Sequence, residues 1–158
     1  MRILGEVADA TPHIRDFDLA IDVPALVTLF GQLGYETTED ALRNRAVEGV
    51  NDPATKVFIA EEQAHIVGVL VVHVIAPWHE PTCWAVVSAL VVDERSRGNG
   101  AGALLLSESE QFARSLGCSH IELSSSEARI RAHAFYERFG FTEVRKRFVK
   151  SLLGGVAS

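Results

Sequence analysis

The feature that most constrains the fold is a run of glycines between an apolar strand and an apolar helix. Leu90 to Val92 is apolar, Asp93 to Arg97 is charged, and glycines stand at positions 98, 100 and 102. From Ala101 onward, apolar residues recur every three or four positions, as they do on one face of an α-helix. The pattern therefore predicts a strand, a turn and a helix in direct succession.

This layout favours a bound anion where the helix begins. The first backbone N–H groups of a helix lack intrahelical partners, and their dipoles add to a partial positive charge. Glycines let the backbone approach a phosphate closely. Arg97, directly before the glycines, adds a fixed positive charge with a forked set of donors. We therefore expect a phosphate or diphosphate group at this turn.

Two known glycine-rich turns fit less well than a third. A P-loop ends in Gly-Lys-Ser/Thr, and the lysine is absent here. A dinucleotide fingerprint is harder to dismiss, because Gly98, Gly100 and Ala103 fit G-x-G-x-x-A and Glu122 ends a later strand. The charged run before the glycines and the short remaining chain argue against it. A dinucleotide-binding oxidoreductase is thus the disfavoured alternative.

Two sequence motifs, which occur in the expected order, identify the third kind of glycine-rich turn. Arg97 to Gly102 matches R/Q-x-x-G-x-G/A, and Ala132 to Phe141 contains an Ala-x-x-x-Tyr helix that ends in Gly-Phe. Both motifs resemble signatures of the GNAT superfamily of acyl-CoA N-acyltransferases. The resemblance covers almost the whole chain and implies the GNAT fold.

Hydrophobic periodicity and turn signals predict the element order β-α-α-β-β-β-α-β-α-β-β. This order is typical of an α/β (α+β) fold with a central mixed, mostly antiparallel sheet flanked by about four helices. Asp22 is the expected N-cap of the first helix, and Thr38 that of the second. The last two strands are expected at Phe141 to Arg145 and Arg147 to Leu152.

Length and composition predict a single domain over residues 1–158, with a loose arm at 1–12 and a frayed tail at 154–158. The net charge of −6 and the lack of a basic patch argue against nucleic acid. No apolar run reaches the about 20 residues that span a bilayer, and no secretory signal is evident. Cys83 and Cys118 are not spaced for metal and are expected as free thiols in the cytoplasm.

The resemblance implies acetyl-CoA as cosubstrate and no metal. In the family, the strand before the glycine turn separates from its neighbour and binds the pantetheine amides with its free main chain, here Leu90, Val91 and Val92. The diphosphate would lie on the following main-chain amides: Arg97, Gly98, Asn99, Gly100, Ala101, Gly102 and Ala103. The matching tyrosine, Tyr136, would protonate the departing thiolate.

The sequence offers several candidates for the general base. Many family members carry a glutamate on the central strand, but Trp84 to Leu90 contains no acid and Ser88 is its only polar side chain. His73 and His79 flank the loop on the substrate side and are the first candidates for a water-mediated base. Glu80, His120 and Glu122 are further candidates, and a direct base need not exist.

The C-terminal half resembles small-amine acetylating members, namely aminoalkylphosphonate and some aminoglycoside N-acetyltransferases. This implies acetyl transfer to the primary amine of a small molecule, by direct attack in a ternary complex. The N-terminal half, which usually builds the acceptor pocket in this family, is not similar enough to these members to indicate the substrate. A non-catalytic acyl-CoA-binding or regulatory domain is the alternative from another class. Many relatives dimerise, so the resemblance also allows a homodimer.

Overall fold

The computed structural model of the chain describes residues 11–125 and 129–154. They belong to two compact units, one ending at Ser124 and one beginning at Ser125. The elements in chain order are β1 (His13–Asp16), α1 (Val23–Gln32), α2 (Glu39–Val50), β2 (Thr55–Glu62), β3 (His65–Ile75), β4 (Trp84–Val92), α3 (Ala101–Ser115), β5 (Ile121–Leu123) and α4 (Ile130–Arg138).

The first unit is built on one five-stranded sheet with the strand order β1-β2-β3-β4-β5. Neighbouring strands from β1 to β4 are antiparallel, whereas β4 and β5 are parallel. Together with the four α-helices of the described residues, this confirms the predicted α+β fold with a mixed, mostly antiparallel sheet.

The boundaries of the first two helices follow from local signals. Pro24 lies in the first turn of α1, where its missing N–H costs nothing, and Gly34 follows the helix with a φ of 96°. The Thr38 Oγ1 atom accepts a hydrogen bond from the Ala41 N–H at 3.1 Å and begins α2 as predicted.

The predicted cap at Asp22 is only half right. Asp22 precedes α1, but its carboxylate makes no capping hydrogen bond. It is buried, with 1% of its surface exposed. There it accepts hydrogen bonds from Arg15 Nη1 at 2.7 Å and Nη2 at 2.8 Å. The Asp22 carboxylate therefore binds the guanidinium group of Arg15 from β1, whereas the sequence pattern predicts that it caps the first amides of α1.

Successive residues of each strand face opposite sides of the sheet, and a different helix covers each side. Ile59, Val69 and Val91 pack with Leu26 and Leu29 of α1, so we call this side the α1 face. Residues of opposite parity face α3. The Phe58 ring, for example, meets the Phe112 ring of α3 edge-on at 6.3 Å.

The apolar spacing in the sequence predicts that α3 buries Ala101, Leu104, Leu105, Phe112, Ala113 and Leu116, and the buried side in the structure differs in detail. Ala101, Leu105 and Ala113 are buried as expected, but Leu104 and Leu116 are exposed to 38% and 45%. Leu106 and Ser109 are also buried. The Ser109 hydroxyl donates to the Leu106 carbonyl at 2.7 Å, which satisfies it inside the core.

A β-bulge interrupts the middle of β4. Val71 lies opposite Ala89, and Val72 lies opposite Val87, so Ser88 is an extra residue without an opposite number on β3. Bulges bend a strand, re-aim a side chain and occur often beside active sites. Ser88 is therefore singled out by backbone geometry.

The second unit contains α4, which Gly140 follows with a φ of 87°. The predicted strands at Phe141 to Arg145 and Arg147 to Leu152 are wrong for the structure as described, which has neither helix nor strand from residue 141 to 154. Alternating apolar residues do not suffice for a strand, because its backbone groups must pair with a neighbouring strand. Phe148 and Leu152 are 92% and 88% exposed.

Only Thr11, Pro12 and Gly154 of the predicted arm and tail lie within the described residues. The prediction that residues 1–158 form a single domain stays a prediction. No helix among the described residues is long and apolar enough to cross a membrane.

Candidate active site

The loop between β4 and the glycines is fixed by hydrogen bonds. The Asp93 N–H donates to the Val67 carbonyl at 2.7 Å, and the Asp93 carboxylate accepts from the Arg95 N–H at 3.0 Å. The Glu94 N–H donates to the side-chain oxygen of Gln32 at 3.1 Å, which ties the loop to the end of α1. The glycine turn is therefore held at both β3 and α1.

The turn requires glycine at two positions. Gly98 and Gly100 have φ angles of 93° and 85°, which residues with a side chain rarely adopt. A Cβ atom at either position would meet no other atom within 4 Å, so the backbone borders open space. The first helical hydrogen bond runs from the Leu104 N–H to the Gly100 carbonyl at 3.1 Å. The preceding amides of Ala101 to Ala103 are the ones that a helix start leaves available.

These features fit a diphosphate, which needs converging N–H donors and room for close approach. Arg97 is exposed beside the turn. The Asn99 side chain donates instead to the Glu62 carboxylate, at 3.4 Å to one oxygen and 3.3 Å to the other. One negative charge therefore stands next to the proposed anion position.

Strand β4 has an open edge next to this turn. Its parallel pairing with β5 involves only Ala85, Val86 and Val87. From Ser88 to Val92, the edge of β4 that faces away from β3 pairs with no strand among the described residues. We call this stretch the open edge.

The bulge decides which main-chain groups face the open edge. The Ala85 N–H donates to the His120 carbonyl on the β5 side at 3.0 Å, whereas the Asp93 N–H donates to Val67 on the β3 side at 2.7 Å. These residues are an even number of positions apart, so a regular strand would turn both to the same side. The bulge inverts the alternation. Leu90 and Val92 therefore present their main chain to the open edge, and Val91 faces β3.

His73 and Ser88 meet on the α1 face. His73 Nε2 lies 2.8 Å from the Ser88 hydroxyl oxygen, and Nδ1 lies 3.1 Å from Thr55 Oγ1. The Thr55 hydroxyl donates to the Asp52 carboxylate at 2.8 Å. The structure thus joins the predicted base candidate to the only polar side chain between Trp84 and Leu90, and adds two residues that the sequence did not single out.

A carboxylate anchors this chain of hydrogen bonds. Backbone and side-chain hydrogen bonds from Ala54 and Thr55, together with the nearby charge of His73, lower the pKa of Asp52 below its ordinary value. Asp52 is therefore ionised at neutral pH and can only accept hydrogen bonds. An Asp two positions before a turn amide is a recognisable local signal, but its link to His73 depends on strand pairing.

The other base candidates lie near the start of β4. The His79 ring meets Trp84 edge-on at 6.3 Å, and the His120 ring stacks on Trp84 at 5.2 Å. His120 Nε2 lies 2.9 Å from the Glu122 carboxylate. Glu80 is exposed in the preceding loop. His79 therefore contacts an aromatic ring rather than a polar group of β4.

Tyr136 lies on α4 in the second unit, where its ring contacts Phe135 and Phe141 edge-on at 5.6 and 6.0 Å. Burial raises the pKa of the Tyr136 phenol above its ordinary value, and the charge of Arg129 offsets part of the shift. The phenol therefore stays protonated at neutral pH and slightly above, which is the form that a general acid needs.

The cysteines are free thiols, as predicted. Their Sγ atoms are 3.4 Å apart, and both residues are half-buried. Burial, followed by the neighbouring Cys83, raises the pKa of Cys118 to about 11. Since the thiolate is the nucleophile, this disfavours a catalytic role for Cys118. Among the described residues, no group of three or more His, Cys, Asp or Glu is arranged to hold a metal ion.

Known proteins match this architecture and its motifs. The model of the Acetyltransferase (GNAT) family matches residues 23–141. The chain is 31% identical over 120 residues to the aminoalkylphosphonate N-acetyltransferase of Salmonella typhimurium (strain LT2), and the match spans 76% of this chain and 78% of that protein.

Two solved structures show the same fold. A GNAT family acetyltransferase from Staphylococcus aureus has a TM-score of 0.75 at 24% identity, covering 90% of this chain and 99% of the other. Glucosamine-6-phosphate N-acetyltransferase from Arabidopsis thaliana has a TM-score of 0.77 at 21% identity, with the coverage again 90% and 99%. The family model and the Salmonella relative agree on N-acetyltransferase activity, and this chain belongs to the GNAT family of acetyltransferases.

Proposed function

We propose that this protein transfers an acetyl group from acetyl-CoA to the primary amine of a small molecule, by direct attack in a ternary complex. The observation that carries the proposal is the continuity of two main-chain binding surfaces in the first unit. The open edge of β4 leads through one fixed loop into the glycine turn. An elongated ligand with amide groups along its length and a diphosphate at one end would match both the open edge and the glycine turn.

Acetyl-CoA has that shape, and it supplies a thioester carbonyl that an amine can attack. Leu90 and Val92 would hydrogen-bond the pantetheine amides as a substitute strand. The diphosphate would lie on the amides from Arg97 to Ala103, with Arg97 as an additional cation. Because these contacts are mostly main-chain, bulge and turn geometry matter more than side-chain identity.

An ammonium substrate must lose a proton before its nitrogen can attack. His73 is the base that the geometry favours, because its Nε2 atom contacts Ser88 on β4 itself, at 2.8 Å. His79, the second candidate, meets the Trp84 ring edge-on and, among the described residues, contacts no polar group of β4. The carboxylates of Asp52 and Glu122 would favour a cationic acceptor near His73.

We assign Tyr136 as the general acid that protonates the departing thiolate. Its raised pKa, caused mainly by burial, supports this role because the phenol is protonated at the working pH. Tyr136→Phe keeps the ring and removes the proton. It should lower kcat by about 10- to 1000-fold with little change in the KM for acetyl-CoA. Wild-type turnover by the variant in steady-state kinetics would remove Tyr136 from the mechanism.

Two alternatives differ in what they bind and release. A dinucleotide-binding oxidoreductase would need a doubly wound parallel sheet, which the antiparallel β1 to β4 disfavours. A non-catalytic acyl-CoA-binding domain would share the binding surfaces but not the proton-transfer groups. We further propose that the protein acts in the cytoplasm, without metal or nucleic acid, and that a homodimer is compatible with this activity.

The test has two stages. Thermal shift with acetyl-CoA, CoA, NADH and NADPH should show stabilisation by the first two ligands alone. Release of free CoA thiol is then measured over a library of amines that includes aminoalkylphosphonates, aminosugars and polyamines. Amine-dependent release supports the enzyme, whereas binding without release from any amine favours the non-catalytic alternative. Stabilisation by the nicotinamide nucleotides would overturn both.

A further inference from the structure

We propose that Thr55 and Asp52 are positioning residues for the base: they hold His73 with its proton on Nδ1, so that Nε2 can take the proton of Ser88. This inference rests on the proposed function, which supplies the amine and the need for a base. It goes further by assigning a tautomer and a path for the proton.

The hydrogen-bond directions leave one arrangement. The ionised Asp52 carboxylate has no proton to give, so the Thr55 hydroxyl donates to it, at 2.8 Å. A hydroxyl has one proton, so Thr55 Oγ1 can only accept from His73 Nδ1, at 3.1 Å. Nδ1 therefore carries the proton. The lone pair of neutral His73 is on Nε2, where Ser88 donates at 2.8 Å.

Backbone geometry places the four residues together. Asp52 Oδ1 accepts from the Ala54 N–H at 2.9 Å, a local turn that fixes the carboxylate just before β2. Thr55 and His73 are direct partners across β2 and β3, so their side chains share one face. The bulge adds Ser88 to the same face from β4. Three strands and one turn therefore build the hydrogen-bond chain.

The proton transfer balances without any further reactant. The substrate ammonium gives a proton to Ser88 Oγ as the Ser88 proton moves to His73 Nε2. The products are a neutral amine, an unchanged serine and an imidazolium. Asp52 stabilises the imidazolium through Thr55, and exposed Ser88 lies on the solvent side.

Other titratable groups lie on this face. Glu122 of β5 pairs with Val86, which pairs with His73, and His120 just before β5 lies 2.9 Å from the Glu122 carboxylate. Arg15, opposite Ile59, and its partner Glu61 lie on the same face across β1 and β2.

Thr55→Val tests the positioning role with little change in side-chain volume. Nitrogen-15 NMR of labelled histidine should show His73 as the Nδ1–H tautomer in the wild type and a mixture with Nε2–H in the variant. The kcat for the amine should fall about 10-fold while the KM for acetyl-CoA is unchanged. Thr55→Ser, which keeps the hydroxyl, should restore both the tautomer and kcat.

A second variant covers the case in which Thr55→Val fails to fold. Asp52→Asn keeps the size of the side chain, but its amide can donate to Thr55 Oγ1 and so free the Thr55 proton for His73 Nδ1. The same spectra should then show a mixture of the two His73 tautomers. A wild-type His73 with its proton on Nε2 would overturn the inference, as would an unchanged Nδ1–H tautomer in folded Thr55→Val or in Asp52→Asn. Because NMR reads His73 without turnover, failure of the positioning role is distinguishable from failure to find an amine that is acetylated.

Discussion

At the scale of single residues, the glycine turn combines attraction and repulsion. Its free amides favour an anion, but Asn99 holds the Glu62 carboxylate beside them, at 3.4 and 3.3 Å from its two oxygens. The partial positive charge of the amides attracts the proposed diphosphate, and the negative charge of the carboxylate repels it. Glu62 thus gives this protein a charge that can weaken diphosphate binding without touching the chemistry.

Glu62→Gln keeps an oxygen that can accept from Asn99 and removes the negative charge. At a separation of roughly 8 Å in water, one pair of like charges costs about 0.5 kcal/mol, and the two charges of a diphosphate together cost about 1 kcal/mol. Glu62→Gln should therefore lower the Kd for acetyl-CoA about two- to fivefold at low ionic strength. The difference should shrink in about 0.5 M salt, because salt screens the repulsion between exposed charges. Titration calorimetry measures both.

Glu48→Gln on α2 is the matched control, since Glu48 is exposed and pairs only weakly with Arg45, at 3.5 Å. It should leave the Kd for acetyl-CoA unchanged. Equal affinities for wild type and Glu62→Gln at low salt would contradict a diphosphate at this turn.

At the scale of elements, sequence signals worked where the deciding contacts are local. Thr38 sets the start of α2 through a hydrogen bond to an amide three residues away, and the structure agrees with the predicted cap. Predictions that depend on distant partners did less well. Asp22 pairs with Arg15 of β1 instead of capping α1, and residues 141–154 form no strand.

The candidate site divides in the same way. The glycine turn and His73 could be chosen from the sequence, because motif spacing and residue chemistry are local properties. The bulge at Ser88 could not, since a bulge is defined by the register between β3 and β4. Nor could the Asp52–Thr55 connection, which depends on Thr55 lying opposite His73.

Gly68 connects packing of the sheet to the open edge. It lies on β3, where an added Cβ atom would meet the Val91 carbonyl at 3.2 Å and Leu105 Cδ1 at 3.1 Å. The leucine end can move, but the carbonyl belongs to β4. Gly68→Ala should therefore destabilise the protein by about 1–2 kcal/mol and weaken acetyl-CoA binding by displacing β4. Urea denaturation measures the first effect and calorimetry the second.

Gly31→Ala is the same substitution in a different environment. Gly31 lies inside α1, and an added Cβ atom there would meet nothing within 4 Å. It should stabilise the protein by about 0.5–1 kcal/mol, because alanine loses less entropy in a helix. If Gly68→Ala were also stabilising, the close approach of β3 to β4 would be in doubt.

At the scale of the first unit as a whole, one ion cluster ties three elements together. Arg15 of β1 binds Asp22 before α1, and its Nε donates to Glu61 of β2 at 2.8 Å. Burial alone would raise the pKa of Asp22, but hydrogen bonds from Arg15 and the Asp18 N–H outweigh it, so the pKa lies below its ordinary value. The carboxylate is therefore stabilised in the folded state.

This depressed pKa makes stability depend on pH in a defined direction. The unfolded chain binds a proton at Asp22 near pH 4, while the folded chain resists until a lower pH. The stabilisation is thus present above about pH 4 and is lost as the pH falls through the folded pKa. Asp22→Asn should lose about 2 kcal/mol at pH 7, because it leaves Arg15 partly unpaired, and its stability should fall less than that of the wild type below about pH 4.

Asp16→Asn, at an exposed ion pair with Lys56, is the control and should lose under about 0.5 kcal/mol. These differences are measured by urea denaturation of all three proteins between about pH 3 and 7, which covers the ordinary titration range of an aspartate. A constant gap between wild type and Asp22→Asn across that range would show that Asp22 does not titrate in the way its contacts require.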